Sequence, residues 1–158
     1  MRPTADRVRE AVFSILGDVG GARVLDLFCG TGALAIEALS RGAAGAVLVD
    51  TDVRLARQNV EALGLDERCR LVRSDALRFL ARDQERFDLI FCDPPYRLAD
   101  RLGGELDQLI AARLSEGGRL ILEAASRRPL EVALPLRDER RYGDVLVRIH
   151  APTEAGDS

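Results

Sequence analysis

The stretch Asp26-Leu27-Phe28-Cys29-Gly30-Thr31-Gly32-Ala33 decides the fold. An apolar run from Arg23 to Phe28 leads into its glycines, and a helical pattern from Ala33 to Ser40 follows them. Glycine permits a tight turn and a close backbone approach to a ligand, and the amides that open the next helix face that ligand. This order predicts a strand, a ligand-binding turn and a helix.

The same alternation continues towards the C-terminus. Further apolar runs and helical patterns follow in turn at Ala46–Asp50, Val53–Leu63, Arg70–Arg73, Ala76–Ala81 and Phe87–Cys92. Strands that alternate with helices form right-handed βαβ units, whose mostly parallel sheet is covered on both faces. An amphipathic helix at Thr4–Leu16, ended by Gly17, precedes the first strand.

The last third of the chain changes character. A helix is expected between Glu105 and Leu114, interrupted upstream by Gly103-Gly104, and Gly117-Gly118 introduces a strand. The strands expected in this part are Arg119–Glu123, Val132–Leu136, Glu139–Tyr142 and Asp144–His150, the last two as a hairpin around Gly143. The sequence therefore predicts an α/β fold, with a doubly wound, mostly parallel seven-stranded sheet that closes with an antiparallel hairpin.

Composition limits the class of protein. A chain of 158 residues that is 47% hydrophobic and 31% charged predicts one globular domain, at residues 1–150, with a frayed tail at 151–158. No apolar run approaches the roughly 18 residues of a membrane span, and Met1–Asp6 lacks the apolar centre of a signal peptide. We expect a cytoplasmic, monomeric protein with no membrane partner.

Several kinds of chemistry lack their residues in this chain. Cys29, Cys69 and Cys92 form no CxxC pair and His150 is the single histidine, so neither a metal site nor Cys/His nucleophilic catalysis is expected. All 23 basic residues are arginine, which excludes Schiff-base lysines and a P-loop lysine. The net charge of -3 predicts no general attraction to a polyanion.

Acidic residues end the second and third strands. Asp50 could accept hydrogen bonds from ribose hydroxyls, or it could be a solvated strand-end acid. Asp52 is assigned first to capping the next helix. In Ser74-Asp75-Ala76 the acid could accept from an adenine amino group or cap the following helix, and both alternatives stay open. Gly30-x-Gly32-x-x-Ala35 with Asp50 also matches a dinucleotide fingerprint, so a dehydrogenase is a rival interpretation.

The turn Asp93-Pro94-Pro95-Tyr96 follows the strand Phe87–Cys92. Two prolines remove two amide donors and stiffen the turn, which holds the Pro94 carbonyl ready to accept a hydrogen bond. The Asp93 carboxylate is a second acceptor, so the two could hold both hydrogens of a planar amino group. Tyr96 could stack on the ring that carries this group. A dehydrogenase would leave this turn without a role.

Together these segments resemble the motifs of class I S-adenosylmethionine-dependent methyltransferases, in the branch whose Asp/Asn-Pro-Pro-Tyr/Phe motif methylates amino nitrogens. With Arg2–Glu10, Glu37–Gly42 and Tyr142–Asp144, the chain further resembles the RsmD family of bacterial 16S ribosomal RNA guanine-N2 methyltransferases. This resemblance extends from Arg2 to about His150.

The resemblance implies a role for each matching residue. Asp26, Gly30 and Gly32 would surround the methionine part of S-adenosylmethionine, with Phe28 of the same loop as a further cofactor contact. Asp50 would hold the ribose, and Asp75 and Ala76 would meet the adenine. The remaining positions would be the catalytic turn, at Asp93, Pro94, Pro95 and Tyr96, and the cofactor entrance, at Arg2, Pro3, Thr4 and Arg7.

The expected reaction is methyl transfer to the N2 amino group of a guanine in 16S rRNA. Relatives carry a further basic stretch before the Arg-Pro-Thr segment, whereas Met1 directly precedes Arg2 here. We therefore expect weak binding to naked RNA and recognition of an assembled or partly assembled small ribosomal subunit. The alternatives are a methyltransferase for DNA amino groups or a glutamine amide, and an inactive binding module in ribosome assembly.

Overall fold

Strands and helices alternate along the chain as the apolar pattern predicts. The computed structural model describes residues 3–125 and 132–152, and the side chains of 6–95, 104–123 and 132–152. The helices are α1 Pro3–Leu16, α2 Ala33–Ser40, α3 Arg54–Ala62, α4 Ala76–Arg82 and α5 Tyr96–Arg113, with a short 3-10 turn at Asp66–Arg68. The strands are β1 Arg23–Leu27, β2 Gly45–Asp50, β3 Cys69–Arg73, β4 Phe87–Cys92, β5 Leu114–Ala125, β6 Leu136–Tyr142 and β7 Val145–His150.

The seven strands form one sheet in the order β3-β2-β1-β4-β5-β7-β6. The first five are parallel, and β7 is antiparallel to both β5 and β6. This confirms the predicted fold class and the closing hairpin. Leu27 is level with Val49 on one side and Cys92 on the other, so β2, β1 and β4 end together. The strand order reverses beside β1, which is where open α/β sheets bind ligands.

Two apolar cores cover the two faces of the sheet. Helices α1, α2 and α3 pack on one face around Phe13 and Phe91, whose ring centroids are 5.8 Å apart. Helices α4 and α5 pack on the other face, where Leu106 and Ile110 are fully buried. Burial of each large apolar side chain stabilises the fold by about 1.5 to 3 kcal/mol. Within the described residues, none of the helices combines the length and apolarity needed to cross a bilayer.

The sequence prediction is wrong about the start of α5 and of β5. The helix begins at Tyr96 and continues through Gly103-Gly104, because a glycine costs a helix only about 1 kcal/mol and Leu106 and Ile110 anchor its buried side. Strand β5 begins at Leu114, which pairs with Phe87. Gly117 and Gly118 lie inside this strand, where the register with β4 shifts.

Residues Val132 to Pro135 are not the strand that the sequence predicts. Pro135 has no amide to donate, and the ordered strand begins only at Leu136. Instead, Val132 and Leu134 pack on the second core, and the Ala133 amide donates to Asp107 Oδ2 at 2.7 Å. The segment therefore covers α5 as an irregular strap before the hairpin begins.

Candidate active site

The glycine turn after β1 has the geometry that its residue types permit. Gly30 and Gly32 have φ values of 55° and 81°, and the Gly32 amide closes the turn by donating to the Cys29 carbonyl at 2.8 Å. A Cβ on Gly32 would lie 2.9 Å from Leu48 Cδ2, whereas a Cβ on Gly30 would meet nothing within 4 Å. A side chain at Gly32 would therefore displace the buried Leu48, whereas Gly30 leaves the backbone open to a ligand.

Phe28 adopts a conformation that the sequence did not predict. Its φ is 58°, and it is the one non-glycine residue with a positive φ in the described part of the chain. This left-handed conformation costs an L-residue roughly 1 to 2 kcal/mol. Its partly buried ring packs against the second core and so anchors the turn. Strain of this kind concentrates at functional sites, which supports Phe28 as a site residue.

Asp50, at the end of β2, holds the glycine turn from the side. Its Oδ2 accepts a hydrogen bond from the Gly30 amide at 2.9 Å, and its Oδ1 accepts one from the Thr51 amide at 2.7 Å. A carboxylate has about four acceptor positions, and Oδ1 also accepts from the Thr51 hydroxyl at 3.4 Å, so one position remains, on Oδ2, for a ligand hydroxyl. Neighbouring Asp52 accepts from the Arg54 amide at 3.0 Å, and its hydrogen bonds to Arg54 lower its pKa to about 2. Asp52 therefore supports the start of α3, but from one residue before the N-cap position that the sequence predicted for it, since Val53 occupies that position.

Asp75 has a structural partner in α4. Its carboxylate accepts from the Arg78 amide at 3.3 Å and caps the helix at its N-terminus. Of the two alternatives left open by the sequence, the cap is the one that the structure displays. Ala76 is buried beneath it. An adenine contact by Asp75 and Ala76 stays a prediction.

Three carboxyl groups lie at the ends of the adjacent strands β1, β4 and β5. Asp26 is 3% exposed and accepts from the Ala35 amide at 3.2 Å, and burial raises its pKa well above the usual value. Cys92 pairs with Leu122, so Asp93, just after β4, lies beside Glu123 of β5.

The electrostatics of this acidic cluster, Asp26, Asp93 and Glu123, favour a cationic ligand. Asp93 is exposed on its outer side, but protein surrounds most of its carboxyl group. This burial is the larger cause, and the Glu123 charge the smaller one, of a rise in the pKa of Asp93 to about 7. Burial also raises the pKa of Glu123. No arginine among the described residues lowers the pKa of these three groups. A bound cation would supply the missing positive charge.

The Asp-Pro-Pro-Tyr turn connects this cluster to α5. Pro94 is buried and Pro95 is exposed, and Pro95 occupies the N-cap position of the helix. Tyr96 is the first helical residue, and its side chain lies outside the described part of the structure. The turn thus joins the carboxyl edge of β4 next to the glycine turn, as the sequence predicts.

The N-terminal candidates are described only in part. Arg2 lies outside the described residues, and Pro3 and Thr4 are described as backbone at the start of α1. Arg7 is exposed on the same helix. Their contact with a cofactor stays a prediction.

Sequence reasoning missed two residues of this site. Glu123 was assigned only as the end of a strand, although an acid at the carboxyl end of a parallel strand is a recognisable signal. Asn59 of α3 donates from Nδ2 to the Thr31 carbonyl at 2.9 Å and so fixes the glycine turn. These partners are 28 residues apart, and no local pattern announces them.

Comparison with known proteins identifies a family and solved structures that this chain resembles. The family described as Conserved hypothetical protein 95 matches residues 1–151. Ribosomal RNA small subunit methyltransferase D of Escherichia coli K12 is 37% identical over all of this chain and 83% of its own length. A conserved protein of Streptococcus pyogenes has a TM-score of 0.81 at 34% identity, covering 95% of this chain and 97% of that one. SMU.776, solved in complex with SAH, shares the fold with a TM-score of 0.76 at 21% identity, covering 94% of this chain and 49% of that one.

The sheet order, the glycine turn and the Asp-Pro-Pro-Tyr turn at one edge define a class I S-adenosylmethionine-dependent methyltransferase. The resemblance found in the sequence is confirmed. The chain belongs to the RsmD family of ribosomal RNA small subunit methyltransferases.

The residues at the sheet edge fit S-adenosylmethionine. The free acceptor position on Asp50 Oδ2 suits a ribose hydroxyl, and the acidic cluster suits a cofactor that carries a positively charged sulfur. The open backbone at Gly30 lies between them. Within the described residues, no group of three or more His, Cys, Asp or Glu side chains could hold a metal ion.

Proposed function

We propose that this enzyme transfers a methyl group from S-adenosylmethionine to the exocyclic N2 amino group of a guanine in small-subunit ribosomal RNA. The observation that carries the proposal is the Asp93 carboxyl group, raised in pKa and placed at the strand end beside the glycine turn. The name of the Escherichia coli relative supports ribosomal RNA as the substrate.

We assign each group of cofactor-binding residues to one part of S-adenosylmethionine. We assign the ribose to Asp50, the methionine part to Asp26, Phe28, Gly30 and Gly32, the adenine to Asp75 and Ala76, and the entrance to Arg2, Pro3, Thr4 and Arg7. When bound, S-adenosylmethionine supplies a methyl group that its positively charged sulfur has already made electrophilic. The protein therefore has to position the acceptor and manage one proton.

The acceptor amino group lies, in this proposal, between Asp93 and the Pro94 carbonyl. Each accepts one of its hydrogens, which aims the nitrogen at the methyl group, and Tyr96 stacks on the guanine ring. The nitrogen loses a proton as it gains the methyl group. An Asp93 carboxylate with a pKa of about 7 is well matched to receive that proton near neutral pH.

The substrate form is a partly or fully assembled small ribosomal subunit. A net charge of -3 gives little of the counterion-release affinity that free RNA binding requires, so contacts with a folded particle must contribute. This substrate also places the enzyme in the cytoplasm, where we expect it to act as a monomer.

The test is tritiated methyl transfer to small subunits, protein-free rRNA and duplex DNA, followed by identification of the methylated nucleoside. We expect N2-methylguanine, formed best on subunits and not on DNA. Methyladenine or methylcytosine in DNA as the main product contradicts the proposal. Absence of transfer to every RNA substrate would favour the inactive assembly module instead.

A matched pair of variants separates chemistry from binding. Asp93→Asn keeps the shape of the turn but removes the charge, so turnover should fall by about 10² to 10⁴-fold, whereas cofactor affinity should fall only a few-fold because Asp26 and Glu123 keep their carboxyl groups at the site. Asp66→Asn removes an exposed carboxylate in the 3-10 turn and should change neither quantity. Calorimetry with S-adenosylmethionine supplies the affinities. Equal losses of affinity and turnover in Asp93→Asn would mean that the acceptor pocket is misplaced.

A further inference from the structure

A groove of about 540 Å³ runs between the edge strand β3 and helix α4. One end of the groove is formed by Arg73 and Asp75, at the carboxyl end of β3, which lies on the cofactor-binding edge of the sheet. From there it extends past Arg78 to Arg82 at the far end of α4. We name this feature the α4 groove.

The α4 groove is positively charged although the chain as a whole is acidic. Arg70, Arg73, Arg78 and Arg82 line it and are all exposed. Among the described residues, two acids line it with them, Asp75 and Asp83. Four positive against two negative charges leave a local excess on a protein whose net charge is -3.

Both acids of the groove are occupied by partners of their own. Asp75 caps α4, and Asp83 Oδ1 accepts from the Glu85 amide at 2.8 Å while Oδ2 lies 3.8 Å from Arg70 Nη2. By contrast, Arg78 and Arg82 make no ion pair with any residue that the structure describes. Their guanidinium groups are thus available to an external anion.

Two arginines in other basic stretches of the chain already have acidic partners. Arg9 is paired with Asp6 at 3.0 Å and with Glu37 at 3.4 Å, and Arg140 is paired with Asp138 at 2.9 Å. The pair at 127–128 lies outside the described residues. The α4 groove therefore carries the positive charge that those ion-paired positions do not.

We propose that the α4 groove binds the phosphate backbone of the ribosomal RNA strand next to the target nucleotide. The inference rests on the proposed function, since that function supplies the RNA. Guanidinium groups match phosphate in both charge and hydrogen-bond geometry, often as bidentate pairs. An RNA strand is favoured over an acidic protein because the groove opens at the same sheet edge as the acceptor site.

The separation of the groove from the acceptor site suits a short RNA segment. Strand β3 lies three strands away from β4, and neighbouring strands are about 4.8 Å apart, which gives roughly 14 Å. A stacked strand advances about 3.4 Å per nucleotide, so about four nucleotides cover this distance. Phosphates flanking the target guanine would therefore reach Arg73 and Arg78.

The test compares Arg78→Gln and Arg82→Gln, alone and combined, with the control Arg57→Gln. Arg57 is exposed on α3, on the opposite face of the sheet, and its replacement changes the net charge equally. The probes are a transcript of small-subunit rRNA and immature small subunits from cells that lack this gene. Filter binding over a series of salt concentrations gives Kd, and tritiated methyl transfer gives KM and kcat.

Each groove arginine that contacts a phosphate should contribute about 0.7 to 0.9 to the slope of log K against log salt. Each replacement should therefore raise the Kd for RNA about five- to tenfold near 0.1 M salt, and the double variant should lower the slope by about 1.5. KM should rise in parallel, while kcat at saturation and the calorimetric affinity for S-adenosylmethionine stay constant. Arg57→Gln should resemble the wild type.

The outcomes separate the two proposals. If the wild type methylates RNA and the groove variants bind it normally, the α4 groove is not the contact, although the function stands. If the wild type methylates no RNA but its binding depends on Arg78 and Arg82, the function fails while the groove stands. Two further results overturn the groove proposal. One is that the protein binds no RNA at all. The other is that the variants lose binding to subunits but bind the transcript normally, which would mean that the groove contacts a ribosomal protein.

Discussion

The raised pKa of Asp93 should make methyl transfer fall as the pH drops below neutrality. The Asp93 carboxyl group can take up the proton that the amino group loses only when it is ionised, and burial with the nearby Glu123 charge raises the pKa of Asp93 from 3.8 to about 7. About one-tenth of the molecules are ionised at pH 6 and about nine-tenths at pH 8. The kcat/KM for the cofactor, which reports groups of the cofactor-free enzyme, should therefore fall about tenfold per pH unit below 7.

Replacement of Glu123 isolates one cause of this raised pKa. Glu123→Gln removes the like charge at nearly constant volume, while burial, the larger cause, remains. Neighbouring strands lie about 4.8 Å apart, and two charges at about this separation, with an effective dielectric constant of about 40 to 80, interact by roughly 1 to 2 kcal/mol, which corresponds to about one pH unit. The acid limb of the profile should thus move towards lower pH by about one unit.

Two measurements check this prediction. The pH dependence of kcat/KM gives the limb, and the ¹³C resonance of the Asp93 carboxyl, assigned by comparison with Asp93→Asn, gives the titration directly. Glu61→Gln on the exposed side of α3 is the control and should leave both midpoints in place. An Asp93 carboxyl that titrates near pH 4 in the wild type, or a limb unmoved by Glu123→Gln, would refute the electrostatic argument.

Three further predictions concern the cofactor site. Asp50→Ala should weaken S-adenosylmethionine binding by about 1 to 3 kcal/mol in calorimetry, since the ribose loses a charged acceptor and the Gly30 amide loses its partner, and NAD should not bind to the wild type. Because burial raises the pKa of Asp26, protonation of Asp26 stabilises the folded state at low pH, and this stability is lost as the pH rises through that pKa. Asp26→Asn should therefore raise Tm at pH 8, with a smaller gain at pH 5. The same substitution should weaken cofactor binding. Gly32→Ala should lower the free energy of unfolding by about 2 kcal/mol or more in urea titrations, because its Cβ would meet Leu48. Gly30→Ala should lower it only by the roughly 1 to 2 kcal/mol that a left-handed conformation costs. Equal losses in the two variants would contradict the packing argument.

Local signals in the sequence were sufficient for the βα half of the fold. A helical pattern stopped by Gly42 predicted Ala33–Ser40, and an apolar run that leads into the Asp-Pro-Pro-Tyr turn predicted Phe87–Cys92, both with the bounds that the structure has. The start of α5 could not be predicted in the same way. Whether a helix tolerates Gly103-Gly104 depends on how firmly Leu106 and Ile110 are packed, and that packing is tertiary.

The candidate site was predicted through its strand ends. Asp50 ends a parallel strand, Asp93 follows one and Asp26 is the next-to-last residue of one, so their common edge followed from the fold class. The closeness of Asp93 to Glu123 could not be predicted, because it depends on β4 and β5 being neighbours in the sheet. The left-handed Phe28 has no compositional signal, since glycine is the residue expected at such a conformation.

The two open edges of the sheet, β3 and β6, bear on how the protein behaves when concentrated. An exposed edge strand is a template on which another chain can add a strand and start aggregation. Strand β3 carries Arg70 and Arg73, and β6 reads Leu-Arg-Asp-Glu-Arg-Arg-Tyr from Leu136 to Tyr142, largely exposed. A strand added at either edge would have to bury these charges or bring them against its own. Charged edges of this kind keep the unpaired amides at both ends of the sheet from becoming sites of fibril growth.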